Sequence, residues 1–497
     1  MSLFRKKDLA EMLAQADNGG KGLKRTLGAG NLIALGVGAI IGAGLFVRTA
    51  AAAGQAAGPA VTISFIVAAI GCAFAGLCYA EFAAMIPISG SAYAYSYVTM
   101  GETVAWIIGW ALIMEYALGA ATVSIAWSEY LNKLLGHRIP YEWCHSPFES
   151  MTDATGTHHG IMNAPALVIL LLLTLLLIKG TQESAIVNAV IVFIKVAIVL
   201  IFIVVGWQFI KPENHTPYMI PEGHAPIIDH GKVIADYSGV FKHGWGGVLG
   251  GAAIVFFAFI GFDAVSTAAQ EAKNPKRDMP IGILGSLVVC TILYILFGHV
   301  LTGVAPWTDF VDPTKGKEAS VAYAISTYMT GYGWLATAVT VAILAGFSSV
   351  ILVMLMGQSR VFFSMANDGL LPKVFSDLHP KYRTPYKSNW ILFIFVGAFA
   401  AFVPGSVAGD LTSFGTLFAF VLVSAGIWIL RVKSPNMERP FKTPLVPLVP
   451  ILGAVICLAM IFALDTQTLK VAFGWMALGL AVYFLYSRKT SKLNNNN

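Results

Sequence analysis

The sequence predicts an all-α membrane protein with twelve transmembrane helices. Charged residues make up only 12% of the chain, against roughly a quarter in soluble globular proteins, and 57% of the residues are hydrophobic. The apolar residues are also gathered into runs, most of them long enough to cross a hydrocarbon core, which takes about 20 helical residues. In chain order these runs are numbered helices 1 to 12: 31–54, 59–86, 103–131, 161–178, 185–210, 245–269, 280–305, 333–357, 389–404, 412–430, 446–464 and 470–486.

The basic residues between the runs predict the orientation in the membrane. An even number of helices places both termini on one side. Most lysines and arginines of the connecting segments fall on that side, including those at 5–7, 21–25, 273–277 and 431–442. Because cytoplasmic segments carry this excess, we expect a multi-pass protein of the plasma membrane with both termini cytoplasmic. The net charge of +6 is explained in the same way and does not indicate nucleic acid binding.

Neither the five cysteines nor the ten histidines indicate a cofactor or a metal site. Only Cys144 falls in a connection, so no disulfide framework is predicted. Eight histidines lie in the connections 132–160 and 211–244, without the spacing of zinc ligands. We interpret them as residues of surface loops.

Helix 1 contains three glycines where a spanning helix should be strongest. The stretch reads "GAIIGAGLF", residues 38–46. Helix 6 has a counterpart, "FFAFIGFDAVS", residues 256–266, in which an acidic residue closely follows a glycine. Helices 1 and 6 are five apart, so both interruptions fall at the first position of a five-helix half, as in transporters built from two repeats.

These interruptions predict two unwound helices around a polar cavity. An unsatisfied backbone group in lipid costs several kcal/mol, so unwound segments must lie inside the bundle. The N–H groups at a half-helix start suit a carboxylate, and the carbonyls at a half-helix end suit an ammonium group. A zwitterionic α-amino acid offers both. The alternative is that Gly42 and Gly44 only permit close helix packing, and Gly38 with Gly42 fits the small-xxx-small pattern of such contacts.

The segments "GAIIGAGLF", "FFAFIGFDAVSTAAQEAKNPKRDMPIGI" and "GQSRVFFSMANDGLLPKVF" resemble helix 1, helix 6 and the end of helix 8 in the amino acid, polyamine and organocation transporter superfamily, in its cationic amino acid transporter branch. The resemblance covers essentially the whole chain. It implies a secondary active transporter of L-amino acids that works by alternating access. It also implies a 5+5 inverted-repeat core with broken helices 1 and 6, followed by helices 11 and 12. The expected parts are a cytoplasmic segment 1–30, repeats 31–210 and 244–431, helices 11 and 12 within 446–486, and a cytoplasmic tail 487–497.

The same resemblance implies the substrate-binding residues. The carboxylate is expected to meet the backbone of Gly42, Ala43 and Gly44. The amino group is expected to meet carbonyls near Ile40, Phe257, Ala258 and Ile260. Many superfamily members carry Ser or Thr where this chain has Ala43, so only backbone donors remain here for the carboxylate.

Phe257 and, by resemblance, Met354 are expected to line the side-chain pocket, with Phe257 also covering its outer side. Met354 is bulky and flexible, which favours a small substrate over arginine. A role in core packing remains an equally good interpretation of Met354.

Lys195 lies ten residues into helix 5, roughly 15 Å from its start at 1.5 Å per residue. A lysine side chain cannot reach the interface from there, and a charge at that depth costs at least ~2.5 kcal/mol. Loss of solvation favours the neutral amine, as a proton carrier requires. The alternative is a structural ion pair with Asp263 or Glu115.

The resemblance also indicates how Lys195 couples transport to protons. In proton-coupled members the lysine takes the place of a sodium ion, contacting the helix 1 backbone and a hydroxyl of helix 8, here Ser348 or Ser349. We therefore expect the proton to be the coupling ion. Glu115 and Asp263 are expected to act as proton relays or as simple partners of Lys195.

The sequence argues against some other functions and leaves one open. A metal-ion transporter would need acidic or amide ligands in the helix 1 break, which the sequence lacks. An enzyme or channel would need a phosphate-cradling loop, a spaced histidine pair or a filter sequence. A sodium-independent amino acid exchanger stays open, as do neutral against cationic substrates and a small membrane accessory subunit.

Overall fold

The computed structural model describes residues 5–7, 27–42, 44–88, 90–153, 156–179, 181–229, 232–312, 320–382 and 384–495. These residues are mostly helical. Eight of their helical segments are long and apolar enough to cross a membrane: Gly44–Met85, Glu102–Leu134, Asn188–Phe209, Gly244–Ala269, Pro275–Val304, Gly333–Asn367, Val407–Lys433 and Thr466–Thr490. Four shorter apolar helices accompany them: Ala29–Ile40, Ala164–Lys179, Tyr386–Phe402 and Leu448–Phe462.

The long segment Gly44–Met85 holds the second half of helix 1 and all of helix 2. The two parts are separated at Gly58, whose φ of +59° lies in the left-handed region that favours glycine. Helix 2 proper is Val61–Met85. The remaining helices keep the numbers given above, with helix 5 at Thr181–Gly206, helix 10 at Gly405–Lys433 and helix 12 at Thr466–Val482.

Burial separates central helices from peripheral ones. In the most apolar stretch of helix 6, 89% of residues are buried, and 83% in helix 3, against 33% in helix 5 and 22% in helix 12. Helix 7 packs against helix 2 and the first half of helix 1, and helix 8 packs against helices 3 and 5. The backbone of helix 6 can therefore leave helical geometry without facing lipid.

An ion-pair cluster joins helix 2 to the end of helix 10. Glu81 is fully buried, and Arg431 donates to both of its carboxylate oxygens at 2.9 Å. The Arg439 Nε lies 3.2 Å from Glu81 Oε1, and Thr443 N donates to Oε2 at 2.7 Å. Glu81 therefore has a structural role.

Segments near the two termini meet at one end of the bundle. Arg5 Nη1 donates to Leu493 O at 3.0 Å, and Lys7 Nζ lies 2.7 Å from Asp368 Oδ1 at the end of helix 8. Both ends of the described chain thus lie at the same end of the bundle.

Several elements were not anticipated by the all-α prediction. The connections contain two short helices, Ser91–Thr99 and Ser320–Tyr328, which are too short to span a membrane. They also contain two antiparallel hairpins, formed by Ser150–Asp153 with Gly156–His159 and by Ile227–Asp229 with Lys232–Ala235. Helix 8 runs from Gly333 to Asn367, beyond its predicted end at 357, because hydropathy marks where a span ends and not where a helix ends.

Candidate functional site

Helix 1 is interrupted in the middle of its apolar run. Its first half ends at Ile40, and Ile41 has an extended backbone with φ −74° and ψ 103°. Helical turns resume as a π turn at Gly44. Of the predicted carboxylate-binding residues, Gly42 lies in the break, Gly44 begins the second half, and Ala43 lies outside the described residues.

Helix 6 is interrupted at the matching place. The α-helix Gly244–Val255 tightens into a 3-10 turn, Phe256–Phe259, and Ile260 is extended with φ −59° and ψ 134°. Gly261 follows with φ +110°, a conformation that residues with a side chain rarely adopt. A second segment, Asp263–Glu271, then continues as a 3-10 helix.

The two breaks pack directly against each other. A Cβ on Gly44 would overlap the backbone and the side chain of Ala258 on helix 6. On the other side, a Cβ on Gly261 would come within 3.0 Å of the Ala39 Cβ on helix 1. The glycines therefore serve close packing as well as unwinding, and the two interpretations are compatible here.

Tyr294 of helix 7 links the two breaks. Its hydroxyl lies 2.9 Å from Ile40 O on helix 1 and 2.8 Å from Ala258 O on helix 6. Its ring packs against Phe65 and Phe259, with both centroid separations at 5.3 Å. Carbonyls freed by unwinding thus find a donor from a neighbouring helix, as buried backbone groups must. Both are carbonyls that the family resemblance predicts as partners of the substrate ammonium.

Lys195 also reaches the break in helix 1. The side chain is fully buried, and its Nζ donates to Gly38 O at 2.7 Å and to Ile41 O at 2.8 Å. Its stem passes so close to Gly346 of helix 8 that a Cβ there would lie 2.6 Å from Lys195 Cδ. The ammonium therefore holds the end of the first half of helix 1.

The hydroxyls of helix 8 have other acceptors. Ser348 Oγ donates to Leu344 O, one turn earlier, at 2.9 Å. Ser349 Oγ donates to Asn188 Oδ1 of helix 5. Among the described residues, Lys195 forms no ion pair with any carboxylate, so the structural alternative of a pair with Glu115 or Asp263 does not apply.

Glu115 and Asp263 instead face each other. Both are fully buried, and their carboxyl groups are close enough to interact directly. Asp263 Oδ2 accepts a hydrogen bond of 2.5 Å from the Tyr116 hydroxyl. Two carboxyl groups can share a hydrogen bond only when one of them holds a proton, because an ionised carboxylate is an acceptor alone.

The two expected pocket residues are both buried. Phe257 is 5% exposed and Met354 is 3% exposed. Met354 packs against Gly119 of helix 3, where an added Cβ would lie 2.8 Å from its sulfur. This contact is core packing between helices 3 and 8, and the pocket role of Met354 stays a prediction.

An ion pair lies next to Phe257. The Arg48 Cζ lies 5.2 Å from the centroid of the Phe257 ring, and Arg48 Nη1 lies 3.6 Å from Asp410 Oδ1 on helix 10. The guanidinium also rests against Gly409, where no Cβ could be accommodated beside it. Helices 1, 6 and 10 therefore meet at this arginine.

The structure thus gathers most of the predicted site residues around the paired breaks, including Ile40, Gly42, Gly44, Phe257, Ala258, Ile260 and Lys195. Glu115 and Asp263 form a separate pair, and Ser348 bonds within its own helix. Tyr294, Arg48 and Asp410 were not predicted. A tyrosine in the middle of the apolar run of helix 7 was the available signal, since its hydroxyl needs a partner.

Comparisons with known proteins place the chain among permeases and transporters. A family model described as amino acid permease matches residues 27–486. The chain is 44% identical to the branched-chain amino acid permease BcaP of Bacillus subtilis and 42% identical to the methylthioribose transporter of the same species, in each case over 99% of both proteins. It is 33% identical to the vacuolar cationic amino acid transporter 4 of Arabidopsis thaliana, over 88% of this chain and 68% of that protein. All three relatives are named as permeases or transporters.

Proposed function

The chain belongs to the amino acid permease family and is a transporter rather than an enzyme. On that premise we propose that it moves L-amino acids by proton-coupled secondary active transport. Alternating access would expose one site first to the outside and then to the cytoplasm. The observation that carries the proposal is the pair of breaks in helices 1 and 6, which place unwound backbone of opposite polarity side by side in the buried centre of the bundle.

The breaks offer one group for each charge of an amino acid. The second half of helix 1 begins at Gly44, and the N–H groups at this helix start carry a partial positive charge. We propose that they bind the carboxylate together with Gly42 and Ala43. The carbonyls of Ile40 and Ala258 carry the opposite partial charge and would bind the ammonium.

The carbonyls near the helix 6 break would complete the ammonium site. Phe257 O accepts from Ile260 N at 3.3 Å, so this turn is held closed by its own backbone. Ala258 O, by contrast, is bonded by the side chain of Tyr294 and keeps a second lone pair. The substrate ammonium would use that remaining acceptor capacity.

Lys195 is the proposed proton carrier. In the structure it holds Gly38 O and Ile41 O, which lie on either side of the last residue of the first half of helix 1. Protonated lysine donates more strongly to carbonyls than the neutral amine does. Loss of the proton would therefore loosen the hold on this half-helix and link its movement to proton release.

Glu115 and Asp263 would form a second proton-holding element. Their facing carboxyl groups need one proton between them, and Tyr116 keeps Asp263 oriented. Asp263 begins the second segment of helix 6, so movement of that segment would change the separation of the two carboxyl groups. We propose that this pair relays protons on the path used by Lys195.

The proposed architecture is the twelve-span arrangement with a 5+5 inverted-repeat core and both termini in the cytoplasm. The matching positions of the two breaks support the repeat, and the meeting of Arg5 with Leu493 supports an even number of spans. The excess of basic residues on the side of the termini supports a cytoplasmic location there in the plasma membrane.

Methylthioribose transport is a second candidate, favoured by the 42% identical relative that bears this name. A methylthioribose molecule carries neither an ammonium nor a carboxylate. It would leave the opposite partial charges of the two breaks without ionic partners, so the geometry favours an amino acid. Sodium-independent exchange without proton coupling is the alternative for the mode of transport.

Uptake into proteoliposomes tests these proposals. Purified protein would be supplied with a panel of neutral and cationic L-amino acids, with methylthioribose and with manganese as a metal comparison, each with and without an inward proton gradient. We expect accumulation of amino acids above equilibrium only with the gradient. Uptake of methylthioribose alone would favour the second candidate.

A counterflow assay completes the design. Liposomes loaded with unlabelled amino acid take up labelled amino acid by exchange, which needs no proton gradient. Exchange together with gradient-driven accumulation would support proton-coupled transport. Exchange with no accumulation under any gradient would contradict the coupling while leaving amino acid transport intact.

A further inference from the structure

We propose that Arg48 is a charge filter at the outer wall of the substrate pocket, which favours neutral over cationic amino acids. The inference rests on the proposed function, in that it assigns a substrate class to the same site. It is carried by the position of the Arg48 guanidinium, which lies against Phe257 and is held there by helix 10.

The guanidinium lies just outside the paired breaks. Arg48 follows Gly44 by one turn, and Phe257 directly precedes Ala258, so the contact between Gly44 and Ala258 brings arginine and phenylalanine together. The Arg48 Cζ lies 5.2 Å from the ring centroid of Phe257, within the range of a cation–π contact. A substrate side chain that packs on Phe257 therefore lies close to a fixed positive charge.

Asp410 holds the arginine in place beside Phe257. The two groups are 3.6 Å apart, and the side chain of Arg48 is 17% exposed against 36% for Asp410. The guanidinium is the less exposed group of the two, and it is the one in contact with Phe257.

The filter acts on the end of the substrate side chain. A second cation near Phe257 would be repelled by Arg48 and would also compete for the face of the same ring. An uncharged aliphatic side chain of the same length meets neither penalty. For the charge of Arg48 alone, across about 10 Å in a partly hydrated protein, this repulsion corresponds to about a tenfold preference, and the paired Asp410 carboxylate lowers it in the wild-type protein.

Binding of L-lysine and L-norleucine to the purified full chain tests the inference. The two probes share one carbon skeleton and one zwitterionic head, and they differ by the terminal ammonium. We expect the wild-type protein to bind L-norleucine more tightly. In Arg48→Gln the ratio of lysine to norleucine affinity should rise about tenfold, and in Asp410→Asn, where the arginine is unopposed, it should fall.

The affinity ratio is expected to change in opposite directions in the two variants, and this distinguishes a charge filter from a purely structural ion pair. If the pair only holds helices 1 and 10 together, both variants weaken the two probes equally and the ratio stays unchanged, which overturns the inference. Arg48→Lys keeps the charge and should keep the wild-type ratio. Lys276→Gln, which removes an exposed ion pair with Glu438, is the matched control and should change nothing.

The same assay distinguishes failure of the inference from failure of the proposed function. Binding of other amino acids with no preference for L-norleucine over L-lysine overturns the filter alone. Binding of no amino acid by the wild-type protein overturns the proposed function, and the filter with it.

Discussion

Replacing Lys195 by methionine is the most direct test of proton coupling. Methionine has nearly the same length, fills the same space beside Gly346 and cannot carry a proton. One titratable ammonium at the break corresponds to one proton moved with each substrate. At that ratio a gradient of one pH unit stores about 1.4 kcal/mol and supports about tenfold accumulation of a neutral amino acid when the membrane potential is held at zero.

The variant should still fold. It loses two hydrogen bonds from a charged donor, to Gly38 O and Ile41 O, each worth about 1.5–3 kcal/mol. It also no longer buries a charge, which costs at least ~2.5 kcal/mol. The net loss is therefore a few kcal/mol, less than the free energy of unfolding of a typical domain, about 5–15 kcal/mol.

Uptake and counterflow in proteoliposomes give the readout. We expect Lys195→Met to lower accumulation from about tenfold per pH unit to the equilibrium level, while exchange of labelled amino acid continues. Lys470→Met, which changes an exposed lysine at the start of helix 12, should accumulate like the wild-type protein. Undiminished accumulation by Lys195→Met would refute the coupling argument, and loss of exchange as well would point to a structural role for the lysine.

Three further predictions follow from contacts described above. Gly44→Ala should lower amino acid affinity about tenfold, because its Cβ overlaps helix 6. Gly474→Ala, which has open space around it, should bind amino acids normally. Equal affinities of the two variants would contradict the packing of the breaks. Glu81→Gln should lower the free energy of unfolding by about 3–5 kcal/mol, seen as a lower melting temperature, with unchanged substrate affinity in the surviving fraction. Burial, together with the neighbouring His299, holds the pKa of His215 below its ordinary 6.5. The backbone around His215 should therefore be best protected from hydrogen exchange above pH 6.5, and it should lose protection as the pH falls through the lowered pKa. Protection that is independent of pH, after correction for intrinsic exchange, would argue against this last prediction.

The sequence was sufficient to predict the breaks because glycine and backbone polarity are local properties. Gly44 and Gly261 were singled out by their positions inside two apolar runs, and each lies at an interruption in the structure. The depth of Lys195 in an apolar run was also readable, since counting residues from the start of a helix gives its position in the bilayer.

Contacts between helices distant in sequence could not be predicted in the same way. Nothing in the run around Tyr294 indicates which carbonyls its hydroxyl reaches, because that depends on how helix 7 packs across helices 1 and 6. The pairing of Glu115 with Asp263, rather than with Lys195, likewise depends on helix rotation, which hydrophobic periodicity does not fix in segments that are apolar on all faces.

The hydroxyl of Tyr294 has one hydrogen but lies within hydrogen-bond distance of two backbone carbonyl oxygens. At any instant this hydrogen can be donated fully to only one of Ile40 O and Ala258 O, and the structure shows no second side-chain donor to either carbonyl among the described residues. The ammonium group of an amino acid has three N–H bonds, so a bound substrate would supply the further hydrogen-bond donor for these two carbonyls. Substrate binding would in this way complete the hydrogen bonding at the two breaks.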